Sequence, residues 1–121
     1  MHELSIALSM IEMATEEVTS RNGSRVNALH LKLGPLSGVV KEALTFSYQI
    51  ACQGTILEGS QLIIEDVPVV IHCPKCRADI FVDSIQSLRC SGCGELSCEV
   101  LQGRELEVVA LEFEEVAELT V

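Results

Sequence analysis

The chain has 121 residues, 48% of them hydrophobic, which predicts one globular domain with room for a small inserted module. Its 8 basic and 18 acidic residues give a formal net charge of −10, which argues against binding to nucleic acid or to an anionic membrane. No apolar run approaches the roughly 18 residues of a membrane span, and no basic n-region precedes Glu3. We therefore expect a cytoplasmic protein.

Apolar residues at helical spacing predict a first α-helix over about residues 3–20 that ends near Asn22-Gly23. The residues at helical spacing are Leu4, Leu8, Ile11, Thr15 and Val18, with Ala7 and Ala14 on the same side. Residues 26–33 alternate between apolar and polar side chains, which predicts a strand that stops at Gly34-Pro35. Leu29, Leu31 and Leu33 should face the core.

Ser37 could cap a second helix over about residues 38–52. Its predicted apolar stripe is Val39, Ala43, Phe46 and Ile50. A second strand is predicted over residues 61–71, with Pro68 near its end, and a last strand over residues 105–113. The last strand contains four consecutive apolar residues, which favours a central position in the sheet. The predicted fold is α+β: two helices pack on one face of a three-stranded sheet that carries an inserted module.

Residues 73–93 read "CPKCRADIFVDSIQSLRCSGC", which is C-x2-C, thirteen residues, then C-x2-C. Four thiolates in this spacing suit tetrahedral zinc, and the predicted ligands are Cys73, Cys76, Cys90 and Cys93. Four cysteines fill the coordination shell, so the zinc would be structural. Disulfides are disfavoured because nothing marks secretion, and a rubredoxin-like iron site is an alternative with the same sulfur geometry. The spacer is long enough for a short hairpin.

Two cysteines and two histidines lie outside this pattern. We expect Cys52 to be a small buried side chain near the end of the second helix, and Cys98 is a weaker candidate for a metal contact. Surface positions are the simplest prediction for His30 and His72.

The extreme N-terminus, Met1-His2-Glu3, is a candidate site for a second metal. An initiator methionine before a bulky histidine is normally retained, which leaves a free α-amine beside an imidazole. That amine, the His2 amide and the His2 imidazole can enclose one ion in fused chelate rings, and Glu3 could add its amide or its carboxylate. Such nitrogen-rich planar sets suit nickel(II) or copper(II).

Four segments together resemble the HypA/HybF family of hydrogenase-maturation nickel chaperones. They are "MHELSIA" at the N-terminus, "LKLGPLSGV" after the first strand, the paired C-x2-C motifs, and "GRELEV" before the last strand. The resemblance runs from Met1 to about Phe113. It implies a nickel-binding domain formed by residues 1–72 and 104–121, and a zinc-binding domain formed by residues 73–103. It also implies Ni(II) at Met1, His2 and Glu3, and Zn(II) at the four cysteines.

The resemblance further implies delivery of nickel to the large subunit of a NiFe-hydrogenase with a partner GTPase, and in some members service to urease maturation proteins. The chain would be a monomer or a homodimer. Residues 73–104 carry 4 basic and 4 acidic residues, whereas residues 105–121 carry 6 acidic and none basic. The neutral segment is therefore the predicted docking surface for an acidic partner, and the acidic remainder is an alternative for a basic one.

Some family members place histidines just after each cysteine pair, where this chain has Ala78 and Gly94. A zinc site that exchanges ligands with pH is therefore not expected. A zinc-ribbon interaction module is an alternative function, but the net charge opposes nucleic-acid binding. An enzyme is disfavoured because no Ser/His/Asp set, H-E-x-x-H or phosphate-binding glycine loop is present.

Overall fold

A computed structural model describes residues 2–82 and 87–116. The first helix, α1, spans Glu3–Ser20, which confirms the predicted bounds. Its buried side chains are Ala7, Met10, Ile11, Ala14 and Val18. Leu4 and Leu8 were expected in this stripe, but each is about half exposed, because the buried face is centred on the two small alanines. Asn22, with a φ of 60°, turns the chain out of the helix.

Strand β1 spans Gly23–Leu33 and buries Leu29, Leu31 and Leu33 as predicted. A 3-10 turn at Pro35–Ser37 follows, and the second helix, α2, spans Lys41–Ala51. Ser37 is therefore not the cap that we expected, since Val40 occupies that position.

The buried face of α2 also differs from the predicted stripe. Leu44 and Tyr48 are buried, whereas Phe46 is 66% exposed and Ile50 is 47% exposed. Tyr48 can be buried because its hydroxyl pairs with the Ser60 hydroxyl at 2.7 Å. Cys52 continues the same face and is buried, as predicted.

The segment predicted as one strand over residues 61–71 is two strands, β2 (Gln61–Asp66) and β3 (Val69–Cys73). They belong to different sheets, and the chain leaves the first sheet at Val67-Pro68, where proline has no N–H to continue the ladder. The remaining strands are β4 (Ala78–Val82), β5 (Glu99–Gln102) and β6 (Leu106–Glu115).

The first sheet has the order β2-β1-β6. Arg25 of β1 contacts Glu58, just before β2, and Lys32 of β1 contacts Glu65 of β2. Residue numbers therefore increase in the same direction along both strands. The two strands are parallel, and α2 is the crossover between them. The expectation that the last strand is central was wrong, because β1 occupies the middle and β6 lies at an edge. The two faces of β6 are covered unequally: Leu111 and Phe113 pack on the core, whereas the side chain of Glu112 is 62% exposed.

The second sheet has the order β4-β3-β5 and is antiparallel throughout. Its hairpin joins β3 to β4, with Cys73 opposite Ala78, so the strands flank the first cysteine pair. The spacer between the two pairs is long enough for a further short hairpin, but its residues 83–86 lie outside the described residues.

The described parts of residues 1–31, 39–64 and 108–121 form one compact unit, here called the helical unit, and residues 32–38 and 65–107 form another, the cysteine unit. The main hydrophobic core lies in the helical unit, between the two helices and the sheet. No helix within residues 2–82 and 87–116 combines the length and apolarity needed to cross a bilayer.

Candidate metal centres

The first cysteine pair lies in the tight turn between β3 and β4. Cys73 is the last residue of β3, and its sulfur accepts a hydrogen bond from the backbone N–H of Cys76 at 3.3 Å. Arg77 adopts a φ of 53°, which turns the chain into β4. This arrangement directs both sulfurs of a C-x2-C pair to one point.

The second pair is held by a similar turn. The backbone N–H of Gly94 donates to the Cys90 carbonyl at 2.8 Å, and Gly94 has the positive φ of 77° that glycine adopts easily. The Glu95 carboxylate accepts from the N–H groups of Ser97 and Leu96, at 3.2 and 3.0 Å, and these bonds lower the pKa of Glu95. These backbone hydrogen bonds shape the turn that holds the second pair.

The four sulfurs predicted from the spacing come together, and they lie within 4.8 Å of one another. Cys73 Sγ lies 3.6 Å from Cys93 Sγ, and Cys76 Sγ lies 3.8 Å from Cys90 Sγ. Zinc–sulfur bonds of about 2.3 Å in a tetrahedron would separate sulfurs by roughly 3.8 Å. The donor set therefore fits zinc in size and in chemistry, and it leaves no open position for a substrate.

The pKa values of two of these thiols are shifted in opposite directions. The Cys76 N–H and then the Cys93 thiol, both hydrogen-bonded to Cys73, lower the pKa of Cys73 to about 6. Hydrogen bonds that the Cys76 thiol donates to Cys93, Cys90 and Cys73 hold its proton and raise the pKa of Cys76 to about 12. Cys73 therefore ionises more easily than Cys76. A divalent ion would allow all four to ionise, with release of protons.

The remaining candidates lie outside the four-sulfur group. Cys98 donates its S–H to the Glu95 carbonyl at 3.3 Å, and burial raises its pKa. His72 Nδ1 lies 2.8 Å from the Asp79 carboxylate, and His30 Nε2 lies 2.8 Å from the Glu112 carboxylate. Both histidines are partly exposed.

At the N-terminus, the structure describes His2 and Glu3, and Met1 lies outside the described residues. His2 is the residue immediately before α1, it is exposed, and its side chain makes no capping hydrogen bond. The Glu3 carboxylate accepts a hydrogen bond from the Val40 backbone N–H at 3.1 Å, which lowers the pKa of Glu3. Local sequence patterns do not predict this contact, because it joins residues 37 positions apart.

Comparison with known proteins decides the family. Residues 1–113 match the family described as "Hydrogenase/urease nickel incorporation, metallochaperone, hypA". The chain belongs to the HypA family. It is 46% identical over 112 residues to the hydrogenase maturation factor HypA of Chloroflexus aurantiacus, a match that covers 93% of this chain and 98% of that protein. It is also 43% identical over 115 residues to HypA of a Roseiflexus species, covering 95% and 94%.

Solved structures support the same fold. The solution structure of the Ni metallochaperone HypA from Helicobacter pylori aligns with a TM-score of 0.66 at 20% identity, over 96% of this chain and all of that one. A second solution structure, titled as that of the HypA protein, aligns with a TM-score of 0.69 at 19% identity, over 93% of this chain and 96% of that one. HypA is a nickel metallochaperone family of hydrogenase maturation and not an enzyme family, which confirms the resemblance and the expected nickel. The four-sulfur cluster fits the expected zinc.

Proposed function

We propose that this HypA-family chain binds Ni(II) through Met1, His2 and Glu3 and delivers it to the large subunit of a NiFe-hydrogenase. Its partner in delivery is a hydrogenase-maturation GTPase, and urease maturation proteins are a second class of recipient. In this proposal residues 1–72 and 104–121 carry the nickel, residues 73–103 carry the zinc, and delivery takes place in the cytoplasm.

The observation that carries the nickel proposal is the position of His2 at the exposed start of α1. The first N–H groups of a helix have no intrahelical acceptor. The amides of His2 and Glu3 can therefore be deprotonated and bind a metal ion through nitrogen without breaking a helical hydrogen bond. The first helical bond instead uses the His2 carbonyl, which accepts from the Ile6 N–H at 3.2 Å. The positive end of the helix dipole also stabilises deprotonated, anionic amide ligands.

The Glu3 carboxylate favours an amide role for this residue in the site. One of its oxygens already accepts from the Val40 N–H, so the side chain ties the start of α1 to the residue before α2. Nickel would then take the Glu3 amide nitrogen, with the Met1 amine, the His2 amide and the His2 imidazole completing a square plane. Two helices would hold this plane in place.

The cysteine unit has a supporting role in the proposal. Cys73, Cys76, Cys90 and Cys93 would hold a structural zinc that fixes the turns, and Cys98 remains a weaker candidate for a metal contact. The net-neutral stretch around these cysteines would dock an acidic surface of a delivery partner.

Transfer in the presence of a chelator tests delivery directly. Nickel-loaded protein with its native N-terminus is mixed with purified metal-free hydrogenase large subunit and the GTPase, with enough chelator to hold all free nickel. We expect nickel to reach the large subunit from the intact protein and not from the His2→Ala variant. A His30→Ala variant, whose histidine lies on the sheet, is the matched control and should deliver normally. Equal delivery by the His2→Ala variant would contradict the proposal.

A further inference from the structure

One long edge of the first sheet lacks a strand neighbour among the described residues, and that edge is β6. The Val116 N–H donates to the Asn22 carbonyl at 2.7 Å, and the Ser24 hydroxyl donates to the Glu114 carbonyl at 3.3 Å. Backbone groups alternate in direction along a strand, so those of Phe113 and Glu115 point away from β1. They form a ladder to which another strand can add.

A groove lies beside this edge, on the face of the sheet that α1 covers. Its volume is about 340 Å³, and it is lined by α1 side chains, including Met13 and Glu17, and by residues 108–111 of β6. Met13 is 42% exposed and Val109 is 46% exposed, so apolar surface is open at the mouth of the groove. A strand added to β6 would place every second side chain against this surface.

The charge of β6 indicates what that strand must carry. The strand has four glutamates and no basic residue. Leu111 and Phe113 pack on the core, so Glu112 and Glu114 extend from the opposite, open face, where the Glu112 carboxylate also contacts His30 Nε2 at 2.8 Å. Arg21, the basic residue at the groove, is already paired with Glu17 at 2.7 Å. Two copies of β6 would place glutamates against glutamates, which destabilises a strand pair.

We propose that the β6 edge docks an extended segment of a partner protein in which apolar residues alternate with lysine or arginine. The apolar side chains of that segment enter the groove beside Met13, and its basic side chains meet Glu112 and Glu114. Backbone pairing supplies affinity, and the alternation supplies specificity. This surface does not depend on the nickel proposal, because neither the edge nor the groove includes residues 1–3.

A capped heptapeptide of alternating valine and lysine is the probe, and the valine–glutamate peptide is its control. Binding to the full chain is measured by titration, and amide hydrogen exchange is measured with and without each peptide. We expect the valine–lysine peptide alone to bind and to slow exchange of the Phe113 and Glu115 amides at least tenfold. Equal binding of both peptides, or protection only elsewhere, would overturn the proposal.

Matched charge reversals locate the site. Glu114→Lys on β6 should weaken the valine–lysine peptide by about three- to tenfold, since it replaces one exposed attraction by a repulsion. Glu65→Lys on β2, the other edge strand, should leave the affinity unchanged. Equal losses in the two variants would indicate a general charge effect and refute the site. Protection of the same amides by self-association, seen as a concentration-dependent dimer in sedimentation without peptide, would also refute it.

Discussion

The helical unit and the cysteine unit stabilise themselves by different means. The helical unit buries a cluster of twelve residues between two helices and a sheet. Among the described residues of the cysteine unit, the buried apolar set is Leu33, Val69, Ile71, Cys73 and Cys90. Two of these five are proposed zinc ligands, so little apolar surface remains to offset the loss of chain entropy on folding. We therefore expect the helical unit to fold by hydrophobic burial, and the cysteine unit to need a metal for its order.

The same contrast bears on function. A cargo site must release its ion, so it needs a scaffold that does not depend on that ion. His2 and Glu3 lie on a helix that packs against the large core, whereas the four sulfurs form a closed shell that has no position for exchange. We therefore expect nickel to come and go without unfolding, and zinc to stay.

Removal of zinc should produce the largest difference between the units. Structural zinc sites contribute about 10–16 kcal/mol of metal-coupled folding free energy. Cys90→Ser, or treatment with a strong chelator, should therefore unfold residues 65–107 and leave the helical unit folded. Hydrogen exchange checks this, with fast amides in β3 and β5 and unchanged protection in α1. The control is Cys98→Ser, which lies outside the four-sulfur group and should retain zinc. Loss of both units together would show that they are not independent.

Truncation of one buried side chain in the core of the helical unit should have the next largest effect. Leu29→Ala removes a fully buried side chain and should lower the free energy of unfolding of the helical unit by about 2–5 kcal/mol. Denaturant unfolding measures the loss, and bound zinc should stay at one equivalent. Ile63→Ala, at a position 39% exposed, is the matched control and should cost much less. A Leu29→Ala protein that lost its zinc would contradict the division into two units.

A smaller effect is expected where α1 meets α2. The contact with Val40 lowers the pKa of Glu3 below the usual glutamate value of about 4.3. The contact therefore stabilises the native state fully above that pH, and the stabilisation is lost as the pH falls through the lowered pKa. At neutral pH, Glu3→Gln should weaken nickel binding by about two- to tenfold, because a neutral acceptor holds the helix start less firmly. Titration of each variant with nickel measures this.

The control for that variant is Glu42→Gln in the first turn of α2, which should bind nickel as the parent does. A loss of nickel binding of several hundredfold in Glu3→Gln would show that the carboxylate is itself a ligand. No loss at all would show that the contact with Val40 is irrelevant to the site.

Local sequence patterns predicted the elements that depend on the spacing of neighbouring residues. The bounds of α1, the buried leucines of β1 and the meeting of four sulfurs follow from helical spacing, alternation and C-x2-C turns. The wrong predictions concern choices made by tertiary contacts. The buried face of α2 contains Tyr48, which a purely apolar stripe excludes and which Ser60 makes possible.

The other errors have related causes. The apolar run in β6 predicts a central strand, but β1 takes that place and β6 lies at an edge. Apolar residues on both sides of Glu65-Asp66 predict one strand, so the pattern does not reveal the change of sheet at Pro68. Strand β5 is too short, at four residues, to give a periodic signal. The contact between Glu3 and Val40 depends on how two helices pack, which local patterns do not encode.

Nickel titration of protein with its native N-terminus tests the central claim most directly. Calorimetry should compare this protein with one that carries two extra residues before Met1, and zinc content should be measured in both. Our account predicts that the extension weakens nickel binding at least a hundredfold while zinc and circular dichroism stay unchanged, because it converts the α-amine into an amide. Equal nickel affinity in the two proteins would contradict the account.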